Sequence, residues 1–98
     1  MRIISLNKLK SFWNTHKETE EPLKAWYYEV KKADWVKSLD IKEKYGSASI
    51  LKNNRVVFNI KGNKYRLVVK IQYEMKIVYI KFIGTHQEYD RINVEEIE

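Results

Sequence analysis

The stretch Arg55-Val56-Val57-Phe58-Asn59-Ile60-Lys61-Gly62-Asn63-Lys64-Tyr65-Arg66-Leu67-Val68-Val69-Lys70-Ile71-Gln72-Tyr73 decides the fold class. Val56, Phe58 and Ile60 alternate with Arg55, Val57 and Asn59; beyond the turn Tyr65, Leu67, Val69, Ile71 and Tyr73 alternate with Lys64, Arg66, Val68, Lys70 and Gln72. A period of two belongs to extended chain, whose successive side chains point to opposite faces. Two such runs joined across Gly62-Asn63 predict an antiparallel hairpin with one apolar face and one mixed, charged face. Treating Gly62-Asn63 as a two-residue loop pairs Ile60 with Tyr65 and Phe58 with Leu67, so the apolar sides coincide. The same register sets Asn59 opposite Arg66 and Arg55 opposite Lys70.

Downstream, Val78, Ile80 and Phe82 alternate with Ile77, Tyr79, Lys81 and Ile83, which predicts a third strand. A two-residue loop at Met75-Lys76 pairs Tyr73 with Val78, Ile71 with Ile80 and Val69 with Phe82. It also sets Lys70 opposite Lys81 and Arg66 opposite Thr85. Ser49 to Leu51 predicts a short strand before an Asn53-Asn54 turn, and residues 1–5 alternate weakly enough for another.

Upstream of Gly46 the period is helical. Leu6, Leu9, Phe12 and Trp13 predict a helix to about Lys17. Thr19 reads as the N-cap of a second helix, with Pro22 in its first turn and a stripe of Leu23, Trp26, Tyr27 and Val30. Ser38 predicts the start of a third, short helix through Tyr45 that Gly46 stops. Trp13 and Trp26 are expected in the core. The predicted class is α+β: two to three N-terminal helices packed on one face of a mainly antiparallel β-sheet, with a short C-terminal helical turn.

A chain of 98 residues supports one core, so residues 1–98 are expected to form a single domain. The absence of cysteine excludes a disulfide scaffold and a thiolate metal site. No apolar run suits a signal peptide or a membrane span, so the expected setting is the cytoplasm, away from any membrane. The net charge of +6 is unevenly placed. Residues 44–81 carry nine basic side chains against Glu74, whereas residues 82–98 carry Arg91 against five acids. Positive charge concentrated in one segment is the electrostatic footprint of a polyanion partner.

The expected register gathers that charge into two rows. Arg55, Lys70 and Lys81 would face one another on the exposed side, where like charges repel unless an anion such as an RNA backbone lies across them. Asn59, Arg66 and Thr85 would form a second row that leads into His86-Gln87-Glu88-Tyr89. Thr85 and Glu88 have the spacing of a capping box. His86 and Tyr89, three apart in a helical turn, would share one side of it. A neutral imidazole beside Arg66 is suited to phosphodiester chemistry: a base takes the 2′-hydroxyl proton, cations hold the developing charge and an acid protonates the leaving 5′-oxygen. That route needs no metal or other cofactor and restricts the substrate to RNA. His16, alone near the end of the first helix, reads as structural.

Several motifs in order resemble the HigB family of toxins: Pro22-Leu23-Lys24-Ala25-Trp26-Tyr27, Ala33-Asp34-Trp35, Arg55 to Ile60, Gly62 to Leu67, and Val78 through Gly84-Thr85-His86-Gln87-Glu88-Tyr89-Asp90. The resemblance covers nearly the whole chain. It implies a RelE-like fold, metal-independent mRNA cleavage on translating ribosomes, and a HigA-type helix-turn-helix antitoxin whose complex with the toxin binds operator DNA. It matches Arg66 to the strand arginine that RelE-type toxins direct at the scissile phosphate, and Tyr89 to a C-terminal tyrosine. His86 suits the histidine-using branches better than the lysine-rich RelE site, so His86, Tyr89 and a lysine such as Lys64 or Lys70 all stand as candidate bases. With Arg66, His86 and Tyr89 as catalytic residues, the expected RNA-binding set is Arg55, Asn59, Lys64, Lys70 and Lys81. The alternatives are a ParE-like toxin that inhibits a protein such as gyrase, and an RNA-binding module without catalysis.

Overall fold

The computed structural model describes residues 1–98. Strand β1 (Arg2–Ile4) leads into helix α1 (Leu6–Thr15), a short 3-10 turn (Lys17–Thr19) and helix α2 (Glu20–Lys32). Helix α3 (Ser38–Lys44) follows, then β2 (Ser49–Ile50), β3 (Arg55–Ile60), β4 (Tyr65–Gln72), β5 (Ile77–Thr85) and the four-residue helix α4 (His86–Tyr89). The sheet order is β1-β5-β4-β3-β2, antiparallel except for β1, which lies parallel to β5. This is the expected α+β arrangement with a mainly antiparallel sheet.

The helices cover one face. Leu9 of α1 and Leu23, Trp26 and Val30 of α2 are buried in one cluster with Val56, Phe58, Leu67, Val69, Ile71, Val78 and Ile80. The Trp26 and Phe58 rings meet edge to face at 5.5 Å, and Trp35 stacks on Phe58 at 6.2 Å. Each fully buried aliphatic or aromatic side chain here contributes about 1.5–3 kcal/mol. Trp26 is core as expected, whereas Trp13 is half-buried at the edge with the Lys24 ammonium over its ring. His16 stacks on Phe12 at 4.0 Å and bonds Thr15, a packing role.

Two expected caps differ. Thr19 is the N-cap residue of α2 as expected, but its hydroxyl donates to the His16 carbonyl and makes no capping bond. At α3 the helix begins at Ser38 as expected, but Lys37 and not Ser38 holds the N-cap position, and the Asp40 carboxylate reaches back to accept from the Val36 and Lys37 amides. Those two bonds, partly opposed by burial, hold the Asp40 carboxyl below its ordinary value.

The β3–β4 register is the expected one: Ile60 opposite Tyr65, Phe58 opposite Leu67, Asn59 opposite Arg66 and Arg55 opposite Lys70. The β4–β5 register is not. Ile71 faces Val78, Val69 faces Ile80 and Lys70 faces Tyr79, so the hairpin turns through four residues, Tyr73 to Lys76, with Lys76 left-handed at φ 59°. The observed pairing differs from the expected one by two residues. A shift of two leaves every side chain on its own face, so the apolar pattern does not distinguish the two registers.

A bulge then changes the faces. Val69 pairs with Ile80 and Val68 with Phe82, which leaves Lys81 without an opposite number. Beyond this point β5 is out of phase with its first half. Phe82 joins Val57 and Val68 on the face away from the helices, and Ile83 turns inward beside Leu67. The shifted register already keeps Lys81 from facing Lys70 and Phe82 from facing Val69; shift and bulge together set Arg66 opposite Gly84 and Thr85 opposite Tyr65.

Candidate functional site

The face away from the helices carries the polar side chains of the hairpin, and its two ends differ. At one end β5 runs into α4, whose start is fixed locally. Thr85 Oγ1 accepts from the Glu88 amide at 3.1 Å, and Glu88 Oε1 accepts from the Thr85 amide at 2.7 Å, the expected capping box. The His86 amide also donates to the Lys64 carbonyl at 3.1 Å, which ties α4 to the β3–β4 turn. Gly84 makes this possible sterically. A Cβ there would come within 2.6 Å of the Phe82 ring and 2.8 Å of Glu88 Oε1.

This frame holds the candidate chemistry. The Arg66 guanidinium lies 5.8 Å from the centre of the Tyr89 ring and donates to the Asn63 carbonyl at 2.9 Å. The guanidinium is thereby oriented by an aromatic face and a main-chain oxygen. One turn of helix brings Asp90 to His86, with Oδ2 3.1 Å from Nδ1. The carboxylate stands beside Nδ1 rather than Nε2, so Nε2 is the ring nitrogen left to exchange a proton. Asn59 is Arg66's neighbour across the ladder, its amide weakly bonded to the Ser47 carbonyl at 3.4 Å. Asp90 was not among the expected site residues, although its spacing of four from His86 in a helix is the signal that finds it.

Lys64 departs from this group. Its ammonium lies 4.0 Å from Glu18, on the helix side, and the side chain does not join the Arg66 row. Tyr65 beside it is buried, and burial together with Glu18 raises its phenol above the ordinary value. What Lys64 gives the site is its carbonyl under His86.

At the other end Lys70 and Lys81 line one cleft with Tyr79 between them, and the Lys81 ammonium sits 5.5 Å from the Tyr79 ring. The expected row of three cations is absent. Lys81 is moved away from Lys70 by the shifted β4–β5 register, and Arg55, expected to be exposed, is buried at 3%. The segment after α4 folds back over it. Arg55 Nη2 donates to the Ile97 carbonyl at 2.6 Å and Nη1 to the Asn53 carbonyl at 3.1 Å. Asn53 Nδ2 donates to the Glu95 carbonyl at 3.1 Å. Val57 and Val68 are buried between the two ends, outside the main core cluster.

The family model of the HigB toxin, a RelE-like toxic component of a toxin–antitoxin system, matches residues 19–92. The chain belongs to the HigB toxin family. The match takes in α2, the whole β3–β4–β5 meander and all of α4, so it spans every candidate residue from Arg55 to Tyr89. A toxin of this family acts opposite an antitoxin partner, and the α+β fold is that of a RelE-like toxin. Comparison with curated proteins gives no match. No helix is long and apolar enough to cross a membrane.

Proposed function

We propose that this HigB-family toxin is a metal-independent endoribonuclease that cleaves mRNA in the cytoplasm, on translating ribosomes, and so arrests growth. The observation that carries the reading is the Arg66 guanidinium held over Tyr89, in the same helical turn as the His86–Asp90 pair. His86 Nε2 takes the proton of a ribose 2′-hydroxyl, and the 2′-oxygen attacks the adjacent phosphorus. The bond from phosphorus to the 5′-oxygen breaks, the Tyr89 phenol protonates that oxygen, and the products end in a 2′,3′-cyclic phosphate and a 5′-hydroxyl. Arg66 stabilises the charge that grows on the phosphoryl oxygens, a contact stronger in the transition state than in the ground state. Asn59, Lys70 and Lys81 bind the flanking backbone. His86 is favoured over Lys64 as base, because the Lys64 ammonium is drawn toward Glu18.

The antitoxin in this reading is a HigA-type helix-turn-helix protein, and operator DNA is bound only through the toxin–antitoxin complex. Expression with and without that partner, followed by primer extension on cellular mRNA, tests the proposal. Transcripts cut only in the unneutralised cells are expected. Growth arrest with intact transcripts, or full toxicity in an Arg66→Ala, His86→Ala double variant, would overturn it.

A further inference from the structure

The positions of Arg55 and of the segment Asn93–Glu98 are not explained by the chemistry above. Arg55 lies at the start of β3, opposite Lys70, on the face away from the helices. A cleft of about 480 Å³ is lined by the Asn53–Arg55 turn, Lys70, and Glu95, Glu96 and Glu98. Its walls thus bring two cations against three carboxylates. Residues 93–98 contain no basic side chain.

The segment is an incomplete ligand for the arginine it covers. A guanidinium is best satisfied by a planar or tetrahedral oxyanion that engages Nε and an Nη together. Here the segment offers Nη2 one main-chain carbonyl, that of Ile97. The nearest carboxylate, Glu98, stands 3.8 Å from Nη2 and is itself 85% exposed. Arg55 Nε is buried and has no hydrogen-bond partner. A buried donor without a partner is costly, because it has given up its bond to water for nothing. Replacement of one carbonyl by an oxyanion that reaches both Nε and Nη2 removes that cost. The other polar bonds of the segment are few: Asn53 bonds the Glu95 carbonyl, and its internal bonds run from the Glu96 and Ile97 amides to Asn93, while Val94 and Ile97 are half-buried.

We infer that Arg55 and Lys70 form a backbone-phosphate pocket for RNA, which the chain's own segment Asn93–Glu98 fills with carboxylates and carbonyls until RNA displaces it. The inference rests on the RNA reading of the same face and adds to it an internal competitor. Arg55 is then an RNA contact only in the open state, and the effective affinity for RNA is lowered by the fraction of molecules whose pocket is closed. The segment discriminates against weak or short polyanions, since only a ligand that engages the whole face offsets its displacement.

The test is a titration of the full chain with a 2′-O-methyl RNA of about ten nucleotides, which binds but cannot be cleaved, followed through the amide resonances of Glu95, Glu96 and Ile97. These are expected to move to random-coil positions and sharpen as RNA binds. The triple variant E95Q/E96Q/E98Q should bind the same RNA about threefold to tenfold more tightly at low salt. The control E21Q/E43Q/E74Q, equal in charge, should gain less. Bound RNA with unmoved Glu95–Ile97 resonances, or equal gains in the two triple variants, would overturn the inference. The outcomes separate it from the nuclease reading. RNA that displaces the segment while its cleavable counterpart stays intact removes only the catalysis, and cleavage with the segment still docked removes only the pocket. RNA that does not bind removes both.

Discussion

The two ends of the outer sheet face hold similar residue types in opposite states. At the α4 end Arg66 is presented, oriented by the Tyr89 ring and the Asn63 carbonyl. At the far end Arg55 is buried under acidic chain. Both arginines lie on the face away from the helices in a register the hairpin sets, so strand position alone does not account for the difference. What differs is what folds back. α4 is a capped helical turn pinned to the β3–β4 turn through main-chain bonds, and it leaves the face beside it open. The segment after it crosses the face and closes it. A cationic strand residue is thus left open or covered according to the chain that returns over it.

The sharpest way to break this comparison is to remove its open arginine. Arg66→Ala is expected to lower single-turnover cleavage about 10²–10³-fold, while the Kd for an uncleavable RNA changes only a few-fold; equal losses in both would end the division of roles. Next in size is Asp90→Asn, which leaves His86 without its carboxylate partner. Both side chains are about half exposed, so the expected loss in kcat is only about threefold to tenfold, with RNA binding unchanged, and a variant at the parent rate would show that Asp90 does not position the imidazole.

Smaller effects sharpen the picture. Gly84→Ala forces a methyl against Phe82 and the capping carboxylate of Glu88, so a loss of about 1 kcal/mol is expected from the denaturant midpoint. Gly46→Ala, with nothing near its Cβ, should be close to neutral and serves as the comparison. Smallest are Lys70→Ala and Lys81→Ala, each expected to weaken RNA binding a few-fold and to lower the salt slope by about one. A change in cleavage rate at saturating RNA from either lysine would place it in the chemistry instead.

How far the site was legible follows from the range of each interaction. Thr85 and Glu88 are local, and a capping box is written in four consecutive residues, so the capped turn that carries His86 and Tyr89 formed as expected. The Asn59–Arg66 and Arg55–Lys70 pairs followed from one tight turn. The β4–β5 pairing did not, because Tyr73-Glu74-Met75-Lys76 accommodates two loop lengths that put the same side chains on the same faces. The bulge was hidden for a related reason. Ile80-Lys81-Phe82-Ile83 offers an apolar residue to either face after Lys81, so the pattern tolerates a change of phase there.

The sequence by itself determined the two periodicities, the apolar faces they bury and the capped turn that carries His86 and Tyr89. These depend on neighbours a few residues apart, where geometry leaves one arrangement. Only the tertiary structure decided that Lys81 sits in a bulge, that Arg66 lies opposite Gly84, and that Arg55 lies beneath Ile97. Each of those outcomes joins residues distant in sequence through contacts that either register or either path of the C-terminal segment would have satisfied locally. The choice among them rests on the summed packing and hydrogen bonding of the whole face, including Val57 and Val68 buried between its two ends.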